Sequence, residues 1–120
     1  MRKLTRVMRP IALRSAGKVG SNTSVIHHVG RRSGTTYETP VVAVEHEDCF
    51  LVALPYGTRT DWLQNVLATG KAEITTRGKR YAVDRPEVIP ISEVTLFFRP
   101  KEQRLQRRFG VESALRVHRA

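Results

Sequence analysis

Short runs of apolar and β-branched residues in the middle of the chain, separated by polar turns, predict β-strands. The predicted strands are Ser24–Val29, Thr39–Glu45, Cys49–Leu54, Ala72–Thr76 and Arg80–Asp84. The turn sequences His46-Glu47-Asp48 and Arg77-Gly78-Lys79 each join two of these strands and predict two hairpins. Successive hairpins favour a small antiparallel barrel or a strongly curled sheet.

One helical pattern interrupts the strands. We expect a helix over Trp62–Thr69, with Asp61 as its cap and Gln64 completing a capping box. Gly70 is suited to the left-handed conformation that ends many helices.

Both ends of the chain also predict helices. Residues 1–16 carry apolar positions at helical spacing, interrupted near Pro10, and Ile91–Arg99 fits a strand or a helix. The basic segments before and after Gly110 predict one or two further helices. The predicted organisation is one mainly β (α+β) domain over residues 1–120, with an N-terminal helix (1–16), a barrel core (24–90) and a helical tail (91–120).

Charge narrows the expected partners. The net charge of +10 favours anionic ligands: nucleic acid, acidic lipid headgroups or a phosphorylated or carboxylated small molecule. The single cysteine, Cys49, cannot form an internal disulfide, so a cytoplasmic location is expected. The basic amino end lacks the apolar stretch of a secretory signal, and no apolar run reaches the ~20 residues of a membrane-spanning helix. No spacing of His, Cys and carboxylates predicts a metal site.

The stretch HVGRRSGTTYETP, at the end of the first predicted strand, combines glycines with positive charge. Gly30 and Gly34 allow a sharp turn whose amides can bind an anion. Arg31 and Arg32 add guanidinium groups that match phosphate or carboxylate oxygens, and Ser33 adds a hydroxyl. The alternative is a solvated basic loop.

A second candidate is PYGTRTDWLQN, where a strand ends and the central helix begins. The helix N-terminus after Asp61 offers free amides, and Trp62 is able to lie over a planar ring. The alternative is that Trp62 packs in the core and Asn65 bonds the neighbouring backbone.

His27 and His28 are adjacent in a strand, so they point to opposite faces, and at least one is expected in the core.

Together these segments resemble the deazaflavin-dependent nitroreductase family, small split-barrel oxidoreductases that are common in actinobacteria. The resemblance rests on HVGRRSGTTYETPVVAV, FLVALPYG and DWLQNVLATGKA and covers residues 24–90. It implies a split β-barrel similar to FMN-binding barrels, and hydride transfer between reduced coenzyme F420 and a small organic acceptor such as an enone, a quinone or a nitro compound. F420 is a deazaflavin with a phosphodiester and an oligoglutamate tail, which makes it both planar and polyanionic.

The resemblance also implies which residues bind the cofactor. Arg31, Arg32, Ser33 and the Gly34 amide would hold the phosphate and tail, and Tyr56 is the candidate proton donor or orienting group. The other implied cofactor contacts are Thr39, Pro40, Leu54, Pro55, Tyr56, Gly57, Asp61, Trp62 and Asn65.

This sequence departs from the nitroimidazole-activating members of the family. It has Tyr37 and Tyr56 where they have basic residues, and no tyrosine near its carboxyl end. The resemblance therefore does not imply that this protein activates nitro drugs.

Two other readings remain open. A barrel of the same kind would bind FMN, haem or a fatty acid, and a basic module would bind nucleic acid or a membrane surface; we expect no nucleic-acid partner. Peripheral membrane contact by the basic ends is left open. A homodimer is also open, with Leu96, Phe97 and Phe98 either in its interface or in the core.

Overall fold

The computed structural model describes residues 24–120, so the helix predicted over residues 1–16 lies outside the described part. Within residues 24–120, seven strands and two α-helices follow in the order β1 (Ser24–Val29), β2 (Thr36–Val41), β3 (Ala43–His46), β4 (Cys49–Ala53), α1 (Asp61–Thr69), β5 (Lys71–Thr76), β6 (Lys79–Pro90), α2 (Pro100–Arg108) and β7 (Ser113–Arg119). Two short 3₁₀ turns, Ile91–Glu93 and Thr95–Phe97, connect β6 to α2. No helix in this part of the chain is both long and apolar enough to cross a membrane.

The seven strands form one curled antiparallel sheet in the order β2-β1-β5-β6-β7-β4-β3. Strands β2 and β3 are consecutive in the chain, separated by Val42 alone, and yet they lie at opposite edges of the sheet. The sheet must therefore curl until its two edges approach each other at Val42. This is why the single strand predicted over Thr39–Glu45 is wrong: the chain leaves one edge at Val41 and joins the other at Ala43.

The core has two parts because the curled sheet is covered on both faces. The larger cluster fills the inside of the curl and includes Ile26, Phe50, Leu63, Ile74 and Leu115, each fully buried. The smaller cluster lies on the outer face, where Val94 and Phe98 of the 3₁₀ segment pack on Leu51 of β4. The ambiguous segment Ile91–Arg99 is therefore neither strand nor α-helix.

The predicted hairpins are confirmed. Strands β3 and β4 pair antiparallel, and so do β5 and β6. Arg77 and Gly78 have φ values of 48° and 80°, and positive φ at both positions is the geometry of a two-residue hairpin turn.

The helical tail predicted to the end of the chain is wrong after Gly110. Helix α2 forms as expected, but Ser113–Arg119 is strand β7, paired with β4 on one side and β6 on the other. Leu115 and Val117 alternate inward along this strand. Val111, Ala114 and Leu115 in the same segment also fit helical spacing, and the edges of β4 and β6 that would otherwise remain unpaired decide in favour of the sheet.

The capping box predicted for α1 is also wrong. Thr60 is the N-cap and its side chain makes no capping bond, while Asp61 is the first helical residue. The Gln64 amide donates instead to the carbonyl of Thr58 at 2.7 Å, which fixes the loop before the helix. Gly70 ends the helix with φ 75°, as predicted.

Candidate functional site

Two clefts of different character share a wall made of Thr39 and Trp62. The apolar cleft has a volume of about 620 Å³ and is lined by Thr39, Pro40, Val41, Val42, Ala53, Pro55, Tyr56, Thr60, Trp62, Glu102, Leu105, Gln106, Phe109 and Val111. The polar cleft has a volume of about 590 Å³ and is lined by His28, Gly30, Arg31, Arg32, Ser33, Tyr37, Glu38, Thr39, Asp61, Trp62 and Asn65. Ligand pockets in proteins commonly have volumes of ~300–1,000 Å³, so each cleft has room for part of a ligand.

The polar cleft is built on the turn between β1 and β2. The amide of Gly30 donates to the carbonyl of Thr35 at 2.8 Å, and the amide of Gly34 donates to the carbonyl of Gly30 at 2.9 Å. Gly34 has φ 74°, which favours glycine, and a Cβ on Gly30 would lie 2.6 Å from the Ser33 hydroxyl. The turn therefore depends on Gly34 for its backbone conformation, whereas a side chain at Gly30 would displace the Ser33 hydroxyl.

This turn leaves several hydrogen-bond donors available. Among residues 24–120, the amides of Arg32 and Ser33 have no hydrogen-bond partner. The Ser33 hydroxyl accepts from the amide of Thr35 at 3.1 Å, so its own proton remains free to donate. The Gly34 amide, in contrast, is already bonded within the turn.

The two neighbouring arginines have different surroundings. The Arg31 guanidinium donates to Asn65 Oδ1 at 2.7 Å and lies 3.6 Å from the Asp61 carboxylate. The Arg31 amide donates to the same Asn65 oxygen at 3.1 Å, so Arg31 joins the turn to helix α1. Arg32 is exposed, and its guanidinium makes no ion pair or hydrogen bond with any described residue. Arg32 is thus the guanidinium free to meet an anion.

A buried histidine lies behind the polar cleft. Asn65 Nδ2 is 3.2 Å from His28 Nδ1, and His28 Nε2 is 3.0 Å from the Thr39 hydroxyl. Burial, followed by the charge of His27, lowers the pKa of His28 to about 4, so this ring is neutral at pH 7. His27 faces the other side of the sheet and meets Thr75, as the alternation along a strand predicts.

The apolar cleft is formed where the end of β2, the loop after β4 and helix α2 meet. Trp62 is half-buried and also packs on the larger core cluster. Tyr56 is 85% exposed at the edge of this cleft, and Leu105 and Phe109 are 44% and 67% exposed on the opposite wall. An apolar cleft with exposed apolar residues at its edge suits a planar, weakly polar molecule.

The residues implied by the family resemblance are brought together with three exceptions. Those that line one or both clefts are Arg31, Arg32, Ser33, Thr39, Pro40, Pro55, Tyr56, Asp61, Trp62 and Asn65. Leu54 is 3% exposed and belongs to the core, while Gly34 and Gly57 shape turns with positive φ and line neither cleft. Of the residues considered for an interface, Phe98 is core and Leu96 and Phe97 are exposed.

Sequence reasoning missed the wall contributed by helix α2. Glu102, Leu105, Gln106 and Phe109 line the apolar cleft although they lie far from the glycine turn in sequence. The signal was present in Leu105 and Phe109, two apolar residues one helical turn apart in a strongly basic segment. His28 was also missed as part of the site, although it stands two residues before Gly30.

Comparisons with known proteins identify a family and a fold. The model of the family described as F420H(2)-dependent quinone reductase matches residues 1–109. A search of curated proteins finds no match.

Among solved structures, a domain-swapped dimer has 12% identity and a TM-score of 0.59 over 81% of this chain and 80% of that one. The F420-H2 dependent reductase FDR-A has 11% identity and a TM-score of 0.50 over 81% and 94%. General stress protein 26 from Bacillus anthracis strain Sterne has 9% identity and a TM-score of 0.57 over 83% and 81%. At these identities the likeness supports the fold, and the split-barrel prediction is confirmed.

Proposed function

Because the chain belongs to the F420H(2)-dependent quinone reductase family, we propose that its two clefts together bind coenzyme F420 and present the deazaflavin ring to an organic acceptor. Family membership makes the protein an oxidoreductase with F420 as its cofactor, which confirms the prediction from the sequence motifs. The observation that carries the proposal is the shared wall of Thr39 and Trp62 between an apolar and a polar cleft. A ligand with a flat ring and an acidic chain needs both environments side by side.

The polar cleft fits the acidic part of the cofactor. Arg32, the amides of Arg32 and Ser33, and the Ser33 hydroxyl are donors without a competing acceptor among the described residues. Hydrogen bonds from such groups to phosphate or carboxylate oxygens are among the stronger ones in proteins. Arg31 contributes indirectly, because its guanidinium holds Asn65 and the first turn of α1 in place.

The apolar cleft fits the ring. Pro40 and Trp62 supply flat apolar surface, and Pro55 and Tyr56 supply the edge formed by the loop after β4. A ring bound with one face against this apolar surface would have its other face accessible to the acceptor. The exposed Leu105 and Phe109 would then contact the acceptor.

When bound, F420 supplies the hydride chemistry, and the protein supplies position and protons. The two clefts fix the distance between the bound acidic chain and the apolar wall, which limits how the reactants can be arranged. Tyr56 is the proposed proton donor or orienting group, with solvent as the alternative source. Its phenol is exposed at the cleft edge, where it can exchange protons with water.

For the acceptor we propose only a chemical class. An enone, a quinone or a nitro compound each combines a planar apolar body with oxygen atoms, which suits the cleft between Tyr56 and Phe109. Quinones are favoured among them because the family is described by that activity. A homodimer through the exposed Leu96 and Phe97 remains a proposal, supported by the domain-swapped dimer among the structural neighbours and tested by sedimentation equilibrium.

The test is an equilibrium titration with oxidised F420 that follows tryptophan fluorescence. Trp62 is the only tryptophan in the chain, so any quenching reports on the shared wall. We expect saturable quenching by F420. Excess FMN should displace bound F420 only weakly, because FMN lacks the acidic tail. Oxidation of reduced F420 should then depend on an added quinone, enone or nitro compound.

Three results would count against the proposal. Absence of saturable F420 binding would remove it. Tighter binding of FMN than of F420 would favour a flavin barrel. Salt-sensitive binding of DNA or of acidic liposomes, without F420 binding, would favour the basic module.

A further inference from the structure

Four polar side chains connect the glycine turn to the wall between the clefts. They are Arg31, Asn65, His28 and Thr39, and consecutive members are joined by hydrogen bonds of 2.7, 3.2 and 3.0 Å. We call this series of four hydrogen-bonded side chains the relay. Asn65 and His28 are 5% and 4% exposed, so the middle of the relay is shielded from water.

The direction of the relay is set at Asn65. Its Oδ1 accepts two hydrogen bonds from Arg31, one from the guanidinium and one from the backbone amide. Both Arg31 groups are obligate donors, so the amide oxygen of Asn65 must face Arg31. The amide nitrogen of Asn65 must therefore face His28.

The orientation of Asn65 fixes the tautomer of His28. Asn65 Nδ2 can only donate, so His28 Nδ1, 3.2 Å away, must be the unprotonated acceptor. The neutral ring then carries its proton on Nε2, which donates to the Thr39 hydroxyl at 3.0 Å. The low pKa of His28, about 4, keeps the ring in this neutral form at pH 7.

The tautomer in turn fixes the role of Thr39. A hydroxyl that accepts from His28 must direct its own proton elsewhere, and Thr39 lines both clefts. We infer that the relay turns the Thr39 hydroxyl into a hydrogen-bond donor for an acceptor atom of the cofactor at the junction of the clefts, and that Asn65 and His28 are positioning residues for this contact. The inference rests on the proposed function.

The relay also links the two halves of the site. Arg31 belongs to the turn of the polar cleft, and Thr39 belongs to the wall shared with the apolar cleft. A change at Asn65 should therefore alter hydrogen bonding at Thr39, on the far side of the buried His28 ring.

The first measurement needs no cofactor. Nitrogen NMR of the histidine rings in the unliganded protein at neutral pH distinguishes a protonated Nε2 from a protonated Nδ1. We expect His28 to be protonated on Nε2 in the wild type. In Asn65→Asp, the new carboxylate oxygen would accept from Nδ1, so the proton should move there and the pKa of His28 should rise.

The second measurement is a double-mutant cycle on F420 affinity. Thr39→Val should weaken binding about fivefold in the wild-type background, the effect of one net hydrogen bond. In the Asn65→Asp background the same change should have no effect at a pH above the pKa that His28 has in that variant, because the neutral ring then carries its proton on Nδ1 and Thr39 donates to Nε2. Any repulsion between the new carboxylate and the cofactor is present with or without Thr39, so the comparison cancels it.

Thr36→Val is the matched control. It removes a hydroxyl from an exposed position of the same strand that lines neither cleft, and its F420 affinity should equal that of the wild type. Thermal unfolding of each variant identifies any that do not fold.

The outcomes separate the two proposals. A wild-type protein that does not bind F420 contradicts the proposed function, whatever the tautomer of His28. A wild type that binds F420, but with Nδ1 of His28 protonated or with the same cost of Thr39→Val in both backgrounds, contradicts the relay. If a variant does not fold, the wild-type tautomer alone still decides whether the relay has the stated direction.

Discussion

Arg31 and Arg32 show how two identical neighbours acquire different roles from their contacts. The Arg31 side chain is 30% exposed and its guanidinium is bound to the first turns of α1, so it stabilises the site. Arg32 is exposed without a described partner and is available for a ligand. The order of residues in the turn does not reveal this difference.

Arg32→Ala should weaken F420 binding by about tenfold, the cost of a lost charge-assisted hydrogen bond on an exposed site. The loss should be larger for F420 with a long glutamate tail than for a short-tailed form, and isothermal titration with the two forms measures it. Arg104→Ala removes the same charge from an exposed position on α2 that lines neither cleft, and it should bind normally. An equal loss for both tail lengths would contradict the role given to Arg32.

Tyr56→Phe tests the proposed proton source. If the phenol donates a proton during reduction of the acceptor, kcat should fall by about tenfold or more while F420 affinity stays within twofold. Steady-state kinetics with a quinone acceptor measures kcat, and the fluorescence titration measures F420 affinity. An unchanged kcat would assign the proton to solvent.

The stability of the protein should depend on pH through His28. Its pKa is 6.5 as a free side chain and about 4 when folded, so the unfolded state binds the proton first as the pH falls. Stability is therefore highest above pH 6.5 and should decrease by up to about 3 kcal/mol between pH 6.5 and 4. Urea unfolding across this window measures the change.

His28→Gln should reduce this pH dependence and leave the remainder to His27, whose pKa is also lowered by burial. Glu87 acts in a different window. Its hydrogen bonds to Arg116 and His118 lower its pKa from 4.5 to about 2, so its contribution to stability is lost progressively as the pH falls from 4.5 towards 2. A pH profile that is flat between 6.5 and 4 in the wild type would contradict the burial of neutral His28.

At the scale of elements, the site depends on helix α1 docking against the turn before β2 and on helix α2 covering the apolar cleft. The first contact is polar and uses Asn65. The second is apolar and uses Leu105 and Phe109 at the edge of the cleft. In the proposed complex, α2 would therefore contact only the part of the ligand in the apolar cleft, whereas α1 reaches both clefts through Trp62.

Leu105→Ser should raise the KM for the acceptor about fivefold, because it removes apolar surface from the cleft wall. F420 affinity should change less, since the ring is proposed to lie against Pro40 and Trp62 on the other wall of the cleft and the polar cleft is unchanged. Leu96→Ser is the control, because Leu96 is 80% exposed and lines neither cleft. If both variants have the same KM, α2 does not contact the acceptor.

The elements differ in how far the sequence predicts them. The hairpin at Arg77-Gly78 and the turn at Gly30–Gly34 were predictable, because glycine and backbone geometry act within a few residues. Strand β7 was not, because its sequence fits a helix until β4 and β6 are placed on either side of it. The bond between Arg31 and Asn65 joins residues 34 positions apart, so it depends on the docking of α1, which no local pattern records.

At the scale of the whole molecule, the topology explains why the two clefts are adjacent. β2 and β3 lie at opposite edges of the curled sheet, so the chain around Val42 marks the place where those edges approach each other. The end of β2 there supplies Thr39 to both clefts, and the turn before β2 supplies the free donors. The net charge of +10 adds attraction for a polyanion, but at cellular salt it acts over ~8 Å, so only the arginines near the turn affect bound ligand directly.

The most direct test of the bipartite site is a crystal structure of the complex with F420. We expect the ring in the apolar cleft against Trp62, the phosphate and first glutamates within hydrogen-bond distance of Arg32 and Ser33, and a cofactor acceptor atom at the Thr39 hydroxyl. A complex in which F420 is bound elsewhere, or in which the turn at Gly30–Gly34 holds no part of it, would contradict the bipartite site.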